Sequence, residues 1–184
     1  SAHALLSASS AHRWRVCTAA PKLEATFPDT TSAYAQEGTL AHEICELKLT
    51  KYFTTMPKGT YTRKLNALKK HELYAPEMDA ATDVYFDYVK SVALGYAVRP
   101  TIRIEQRVDF STYAPEGFGT ADCLVLAGDT LHVIDYKHGK GVVVDADHGP
   151  VGGDGLHGQV VDLPELVLRG QGRPRHAREL LVEA

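Results

Sequence analysis

The sequence predicts an α/β domain in which helices come first and a mixed central sheet with one tight hairpin follows, flanked by those helices. Two changes of rhythm predict it. Before Pro100 the apolar residues recur at helical spacing, in stretches punctuated by Ser, Pro and Gly; after it they alternate, as on strands. A third change, at Gly141, marks where the domain ends. Residues 1–140 hold all ten lysines and all fifteen aromatic residues, whereas residues 141–184 hold no lysine, no aromatic residue, eight of the fifteen glycines and four arginines. A core is hard to complete without large apolar side chains. We therefore expect residues 1–141 to form the domain and residues 142–184 to be an atypical Gly/Arg-rich tail. That tail is expected to be loosely packed or disordered to about Gly158, with one short helix from Pro174 to Ala184.

The elements can be justified in order. Ser7 to Val16 reads as a short helix, with Ser7 or Ser9 as cap and Trp14 as anchor. Thr31 or Ser32 opens a longer helix to about Phe53, on which Leu40, Ile44, Leu47 and the stem of Lys51 share a face. A second long helix runs from Pro76 to about Gly95, Pro at its start and Gly at its end, with Met78, Ala81, Tyr85, Tyr88 or Val89, and Val92 as its stripe. Between these helices, Arg63, Lys64, Lys69, Lys70 and His71 make the most basic stretch of the chain, interleaved with Tyr61 and Tyr74. It reads either as a nonspecific grip on a nucleic-acid backbone or as a charged linker. Strands follow at Thr101 to Phe110, Thr120 to Ala127 and Thr130 to Lys137.

Composition narrows the class. The 184 residues suffice for one domain with a real core, and 44% apolar with 23% charged residues is ordinary for a soluble protein. A formal charge of −3 argues against a protein that coats nucleic acid, but not against an enzyme that grips it locally while carrying acidic metal ligands. Cys17, Cys45 and Cys123 show neither a disulfide framework nor CxxC spacing, which fits a reducing interior. No apolar run is long enough to span a membrane, and residues 1–10 lack the basic and apolar regions of a secretory signal, so the cytoplasm is the expected compartment.

The hairpin carries the chemistry. Gly128-Asp129 suits a two-residue type II′ turn, and closing it there pairs residues whose numbers sum to 257. Leu126 then faces Leu131, Leu124 faces Val133, and Asp122 faces Asp135; Lys137 projects on the side of Asp135, across from Thr120. The opposite face carries Cys123, Val125, Ile134 and Tyr136, so both faces are expected to be covered. Two opposed carboxylates at a partly buried edge destabilise each other unless a cation or a shared proton neutralises them. Carboxylate oxygens suit Mg²⁺ or Mn²⁺, which polarise a phosphoryl oxygen and acidify a bound water. A lysine on the same face can orient or deprotonate that water and stabilise developing charge. An Asp-x-Lys alone is common on solvated edges; the opposed Asp122 between apolar runs is what distinguishes this one.

These residues resemble a family. Gly119-Thr120-Ala121-Asp122 followed by Val133-Ile134-Asp135-Tyr136-Lys137 looks like two successive motifs of the RecB-like exonuclease branch of the PD-(D/E)xK nuclease superfamily. Gly38-Thr39-Leu40-Ala41-His42 resembles its G-x-x-x-H motif, and Ser7-Ala8-Ser9-Ser10 with Trp14 and Cys17 resembles its opening. The likeness covers residues 1–141 and is strongest to phage and prophage proteins of unknown function associated with DNA recombination. It implies a restriction-endonuclease-like core. His42, Asp122, Asp135 and the Tyr136 carbonyl would ligate Mg²⁺ or Mn²⁺, and Asp122, Asp135 and Lys137 would be catalytic. Glu105 lies in the preceding strand, where related enzymes carry an acidic residue. The implied activity is an exonuclease acting on DNA in a host bacterial cell, either as a homo-oligomer or with a phage recombination partner. The alternative is a catalytically weak DNA-binding or assembly module of the same fold. Cys17 resembles the first ligand of the iron–sulfur cluster of some relatives, but the three further downstream cysteines are missing, so no cluster is expected.

One departure stands out. The branch has a Q-x-x-x-Y or Q-x-x-Y helix after the lysine, whereas Gln159 and Gln171 have no tyrosine after them. The abrupt change at Gly141 is what an out-of-frame reading of a GC-rich gene would give, so the expectation is a frame-shifted or foreign tail from about Val142 and a longer natural protein. Other constellations fail. His42-Glu43-Ile44-Cys45-Glu46 lacks the second histidine of a zinc-protease helix, and His138-Gly139-Lys140-Gly141 lacks the P-loop form. The latter reads as a flexible loop in which Lys140 reaches a phosphate, or as a plain solvated turn.

Overall fold

The computed structural model describes residues 5–7, 10–27, 32–138 and, as backbone, 158–163. Their elements are α1 (Ala11–Trp14), α2 (Ala20–Glu24), α3 (Ala33–Phe53), α4 (Lys58–Leu68), α5 (Pro76–Leu94), β1 (Thr101–Asp109), β2 (Phe118–Ala127), β3 (Thr130–His138) and β4 (Gly158–Leu163). The described residues fall into two units. One holds 32–105, 122–138 and 158–163; the other holds 5–7, 10–27 and 106–121.

In the first unit the two long helices lie where their patterns put them. Ser32 caps α3, its Oγ accepting from the Ala35 amide at 3.2 Å, and α5 begins on Pro76 and ends against Gly95. Leu40, Ala41, Ile44, Cys45 and Leu49 of α3 meet Met78, Tyr85 and Val89 of α5 over Cys123, Val125, Ile134 and Tyr136 of the hairpin, in a single core. Ile102 and Ile104 of β1 pack against it. The helices therefore cover the Cys123/Ile134 face. On the other face Leu124 is buried, whereas Leu126, Leu131 and Val133 are half-buried.

The hairpin has the expected register. Cys123 pairs with Ile134, Leu124 with Val133, Leu126 with Leu131 and Ala127 with Thr130, about a turn in which Gly128 takes a φ of 59°. That left-handed first position is what a type II′ turn requires and what glycine adopts without steric cost. The strand order is β1-β2-β3-β4, and β3 runs antiparallel to both β2 and β4. The sheet is therefore antiparallel across these three strands, where a mixed sheet was expected.

Two segments carry structure that the sequence reading did not assign. Most of the basic stretch is helical: residues 58–68 form α4, on which Tyr61, Leu65 and Leu68 fall along one face, and Leu65 and Leu68 pack against the core. Three apolar residues among charged and hydroxyl side chains were too sparse a stripe to show as helical periodicity. In the tail, residues 158–163 form β4, which pairs Val161 with Asp135 and Gln159 with Lys137. The helix expected at 174–184 and the loop bearing Lys140 lie outside the described residues.

Lysine contacts join the helices. Lys48 of α3 donates to the Asp79 carbonyl at 3.0 Å, to Thr82 Oγ1 at 2.8 Å and to Asp83 Oδ1 at 2.6 Å, all on α5. Just beyond α4, Lys69 pairs with Asp79 Oδ2, which also accepts from the Tyr74 hydroxyl at 2.8 Å.

In the second unit α1 is a single turn, shorter than the Ser7–Val16 helix expected, and Trp14 Nε1 donates to the Ser7 carbonyl at 2.9 Å. Arg13 pairs with Glu24 at 3.0 Å, and the Arg107 guanidinium lies 3.9 Å from the Phe118 ring centroid. Gly117 is required by contact: a Cβ there would stand 2.5 Å from the Phe110 ring and 2.7 Å from the Ala114 carbonyl. No helix among the described residues is long and apolar enough to cross a membrane.

The Asp79 contacts give a pH-dependent stability. Burial pushes this carboxyl up, but hydrogen bonds from Lys69 and Tyr74 outweigh it and hold it below the ordinary value. Its stabilisation is therefore complete above the unfolded carboxyl value of about 4, and is lost as pH falls through the lower folded value. Asp79→Asn should cost about 1 kcal/mol at pH 7, allowing for partial solvent screening. Urea midpoints of parent and variant should differ at pH 7 and draw together as pH falls below about 4; a gap that stays the same size across that range would assign the effect to packing rather than charge.

Candidate metal centre

The site forms where the hairpin ladder ends. The β2–β3 register runs to Cys123 and Ile134; beyond it the Tyr136 amide donates to the Asp122 side chain, Oδ2, at 2.6 Å, and the Asp122–Asp135 pair expected from the sequence is not part of that register. Asp122 is buried, and this bond fixes its second oxygen to face α3, where His42 Nδ1 stands 3.3 Å from Oδ1. β1 supplies the third group. Ligand-type atoms of His42, Glu105 and Asp122 all lie within 4.8 Å of one another.

The backbone at Glu105 is unusual. It has a φ of 50° in the middle of a strand, a left-handed conformation that costs a non-glycine residue roughly 1–2 kcal/mol. The electrostatics add to that cost. Although Glu105 is exposed by surface area, desolvation by its crowded neighbours, with the Asp122 charge, pushes its carboxyl up to about 7, against a lowering by His42. Burial also raises Asp135, helped by Asp122 and opposed by Lys137. For His42 burial works downward, but the hydrogen bond and charge of Asp122, backed by Asp135 and Glu105, hold it above its usual value. Three acids crowd one imidazole here.

The sequence-derived residues are placed as follows. His42 and Asp122 meet, and Glu105, known only through the resemblance, joins them. Asp135 does not complete that trio; its Oδ2 is 2.5 Å from the Lys137 ammonium, which is about half exposed. Tyr136 takes part through its amide, which donates to Asp122 Oδ2; its carbonyl stays an expected ligand. Arg63, Lys64 and Lys70 are exposed on or just after α4, while Lys69 is committed to Asp79.

Two residues were not anticipated. His138, read as part of a flexible loop, is the last residue of β3, with its side chain only 4% exposed. It contacts Tyr136 and Glu37 of α3. The available signal was its position: two residues beyond Tyr136 on a strand, it shares that residue's face.

The arrangement offers one nitrogen and several hard oxygen donors at a solvent-accessible strand end, a donor set that suits Mg²⁺ or Mn²⁺. Residues 3–151 match the family model described as Protein of unknown function (DUF2800), which spans most of the chain, so the chain belongs to that family. No solved structure matches.

Crowded acids make a prediction about the metal-free protein. With a chelator present, Glu105→Gln removes one repelling charge and should leave the fold as stable as the parent, or more stable by about 0.5–1 kcal/mol. Urea unfolding measures this directly. A loss above about 1 kcal/mol would instead make the carboxylate a stabilising part of the metal-free fold.

Proposed function

We propose that this DUF2800 protein is a divalent-metal-dependent DNA nuclease with a restriction-endonuclease-like core, acting as an exonuclease in phage DNA recombination or repair. One observation carries the reading: His42, Glu105 and Asp122 converge beside the Asp135–Lys137 pair on the neighbouring strand. A structural ion-pair network has no need of this surplus of acids at an accessible strand end.

His42, Glu105 and Asp122 would hold Mg²⁺ or Mn²⁺, with Asp135 alongside. The cation, when bound, polarises the phosphoryl oxygen and acidifies the attacking water. The remaining work belongs to the chain. Asp122 is oriented by the Tyr136 amide, so one oxygen stays directed at the ligand position. Lys137 is held near the site by Asp135 and exposed enough to reach a phosphate, where its ammonium orients water and stabilises charge developing on the phosphoryl oxygens.

Gly38 supports the same reading. Glycine inside a helix costs about 1 kcal/mol relative to alanine, yet among the described residues no atom beyond its chain neighbours and its own helix backbone lies within 4 Å of where its Cβ would stand. Packing does not demand glycine there, one turn before His42 on α3, whereas close approach of a substrate would. With a net charge of −3, contact with DNA must be local, and exposed Arg63, Lys64 and Lys70 are its candidates, with Lys140 beyond them.

The test is Mn²⁺-dependent degradation of end-labelled linear DNA. The parent should cleave, cleavage should stop with a chelator, and Asp135→Asn and Lys137→Ala should each lose at least about 100-fold. Undiminished cleavage by both variants would overturn the site assignment. DNA binding without cleavage, independent of metal and unaffected by Asp135→Asn, would make the protein a binding or assembly module instead.

A further inference from the structure

Tyr136 sits between the proposed ligands and a pair, buried His138 and partly exposed Glu37, that the chemistry does not use. Its amide holds Asp122 at 2.6 Å. Its ring meets the His42 ring edge-on, with centroids 5.5 Å apart at 71°, and lies against Tyr85 at 5.2 Å. Its hydroxyl is 2.9 Å from His138 Nδ1, and His138 Nε2 is 3.4 Å from Glu37 Oε1. A ring proton on Nε2, the side toward Glu37, leaves Nδ1 to accept the tyrosine hydroxyl.

Glu37 and His42 lie on the same helix, little more than one turn apart, and Tyr136 and His138 are alternate residues of one strand. β3 therefore grips α3 at two points, through ring contact with His42 and through the His138–Glu37 link. Tyr136 is buried and the His138 side chain is 4% exposed, so breaking their bond would leave two desolvated groups unpaired, while Glu37 closes the chain at its more exposed end. We infer that Tyr136, His138 and Glu37 form a positioning relay that sets His42 and Asp122 at ligand distance from each other. These are positioning residues, acting on the site through others. The inference rests on the metal-site reading for its purpose and on the contacts above for its geometry.

The relay should show in binding rather than in folding alone. Loss of outer-shell partners typically weakens metal affinity by about 10–100-fold. On the full chain, at a temperature where circular dichroism shows every variant folded, Mn²⁺ binding is read by electron paramagnetic resonance. Tyr136→Phe keeps the ring and the amide but loses the hydroxyl, and should bind about 10-fold more weakly. His138→Leu should do the same. Glu37→Gln retains an acceptor oxygen and should stay within about twofold of the parent, whereas Glu37→Leu should fall with the others.

A second readout uses the metal-free protein: the ¹⁵N shift of His42 Nδ1, which reports its bond to Asp122, should move in Tyr136→Phe and His138→Leu and not in Glu37→Gln. If the parent binds no Mn²⁺, the nuclease reading fails and the His42 shift alone decides the relay. Parental affinity together with an unchanged His42 shift in Tyr136→Phe and His138→Leu would overturn it, reducing the three residues to ordinary packing.

Discussion

Pairing between β2 and β3 governs everything at the acidic end of the sheet. Because side chains alternate along a strand, a slip of one residue would send Asp122 and Asp135 to opposite faces, and would turn Cys123, Val125, Ile134 or Tyr136 out of the core. The apolar face therefore enforces the register that the acids require. Gly128 fixes the turn and the helices α3 and α5 clamp the covered face, so the repulsion between carboxylates cannot be relieved by sliding. The core supplies the stability that the site consumes.

What the site consumes can be named. Glu105 has a left-handed backbone within a strand, its carboxyl is pushed up to about 7, and buried Asp122 stands beside both it and the half-buried Asp135. Set against this are the Tyr136 amide on Asp122, the Lys137 ammonium on Asp135 and the imidazole of His42. One lysine and one histidine against three acids leaves net negative charge at a place where backbone strain is also stored. Conformational strain and unbalanced charge together at an accessible point mark functional sites more than structural networks, which tend toward complete pairing. In the Lys48 and Lys69 clusters, by contrast, each ammonium is closed on oxygens of α5 and fastens the helices, although Asp79 Oδ1 is left buried without a hydrogen bond among the described residues.

Much of this was legible in the residues. The Ser32 cap, Pro76, Gly95 and the apolar stripes between them sufficed for α3 and α5, and Gly128-Asp129 sufficed for the register, because these signals act over a few residues. α4 was not legible, since its helicity depends on Leu65 and Leu68 finding a core made by other elements. β4 was not legible either: Gly158–Leu163 has no large alternating stripe and is a strand through pairing with β3. The hairpin's register was enough to bring Asp122 and Asp135 to one end of the sheet, but it could not reveal that Glu105, rather than Asp135, would meet His42, because that depends on how β1 and α3 approach the hairpin's end. The His138–Glu37 contact was hidden for the same reason, being separated by about a hundred residues of sequence.

β4 also bears on how the site residues are held. Asp135, Tyr136 and Lys137 lie on β3, whose partner β2 leaves the ladder at Cys123, just before these residues begin. On that side their backbone is steadied by the Asp122 side chain. On the other side β4 pairs with all three, Val161 opposite Asp135, Val160 opposite Tyr136 and Gln159 opposite Lys137. Without a partner there, the stretch carrying the site would be an open edge, free to twist and to pair with other chains. The family match ends at residue 151, short of β4, so this strand lies outside the part of the chain that identifies the family. Pairing of this kind asks only for backbone N–H and C=O groups in register, which many sequences can supply. The requirement at this position is thus for a strand, and the side chains that define the site come from α3, β1, β2 and β3.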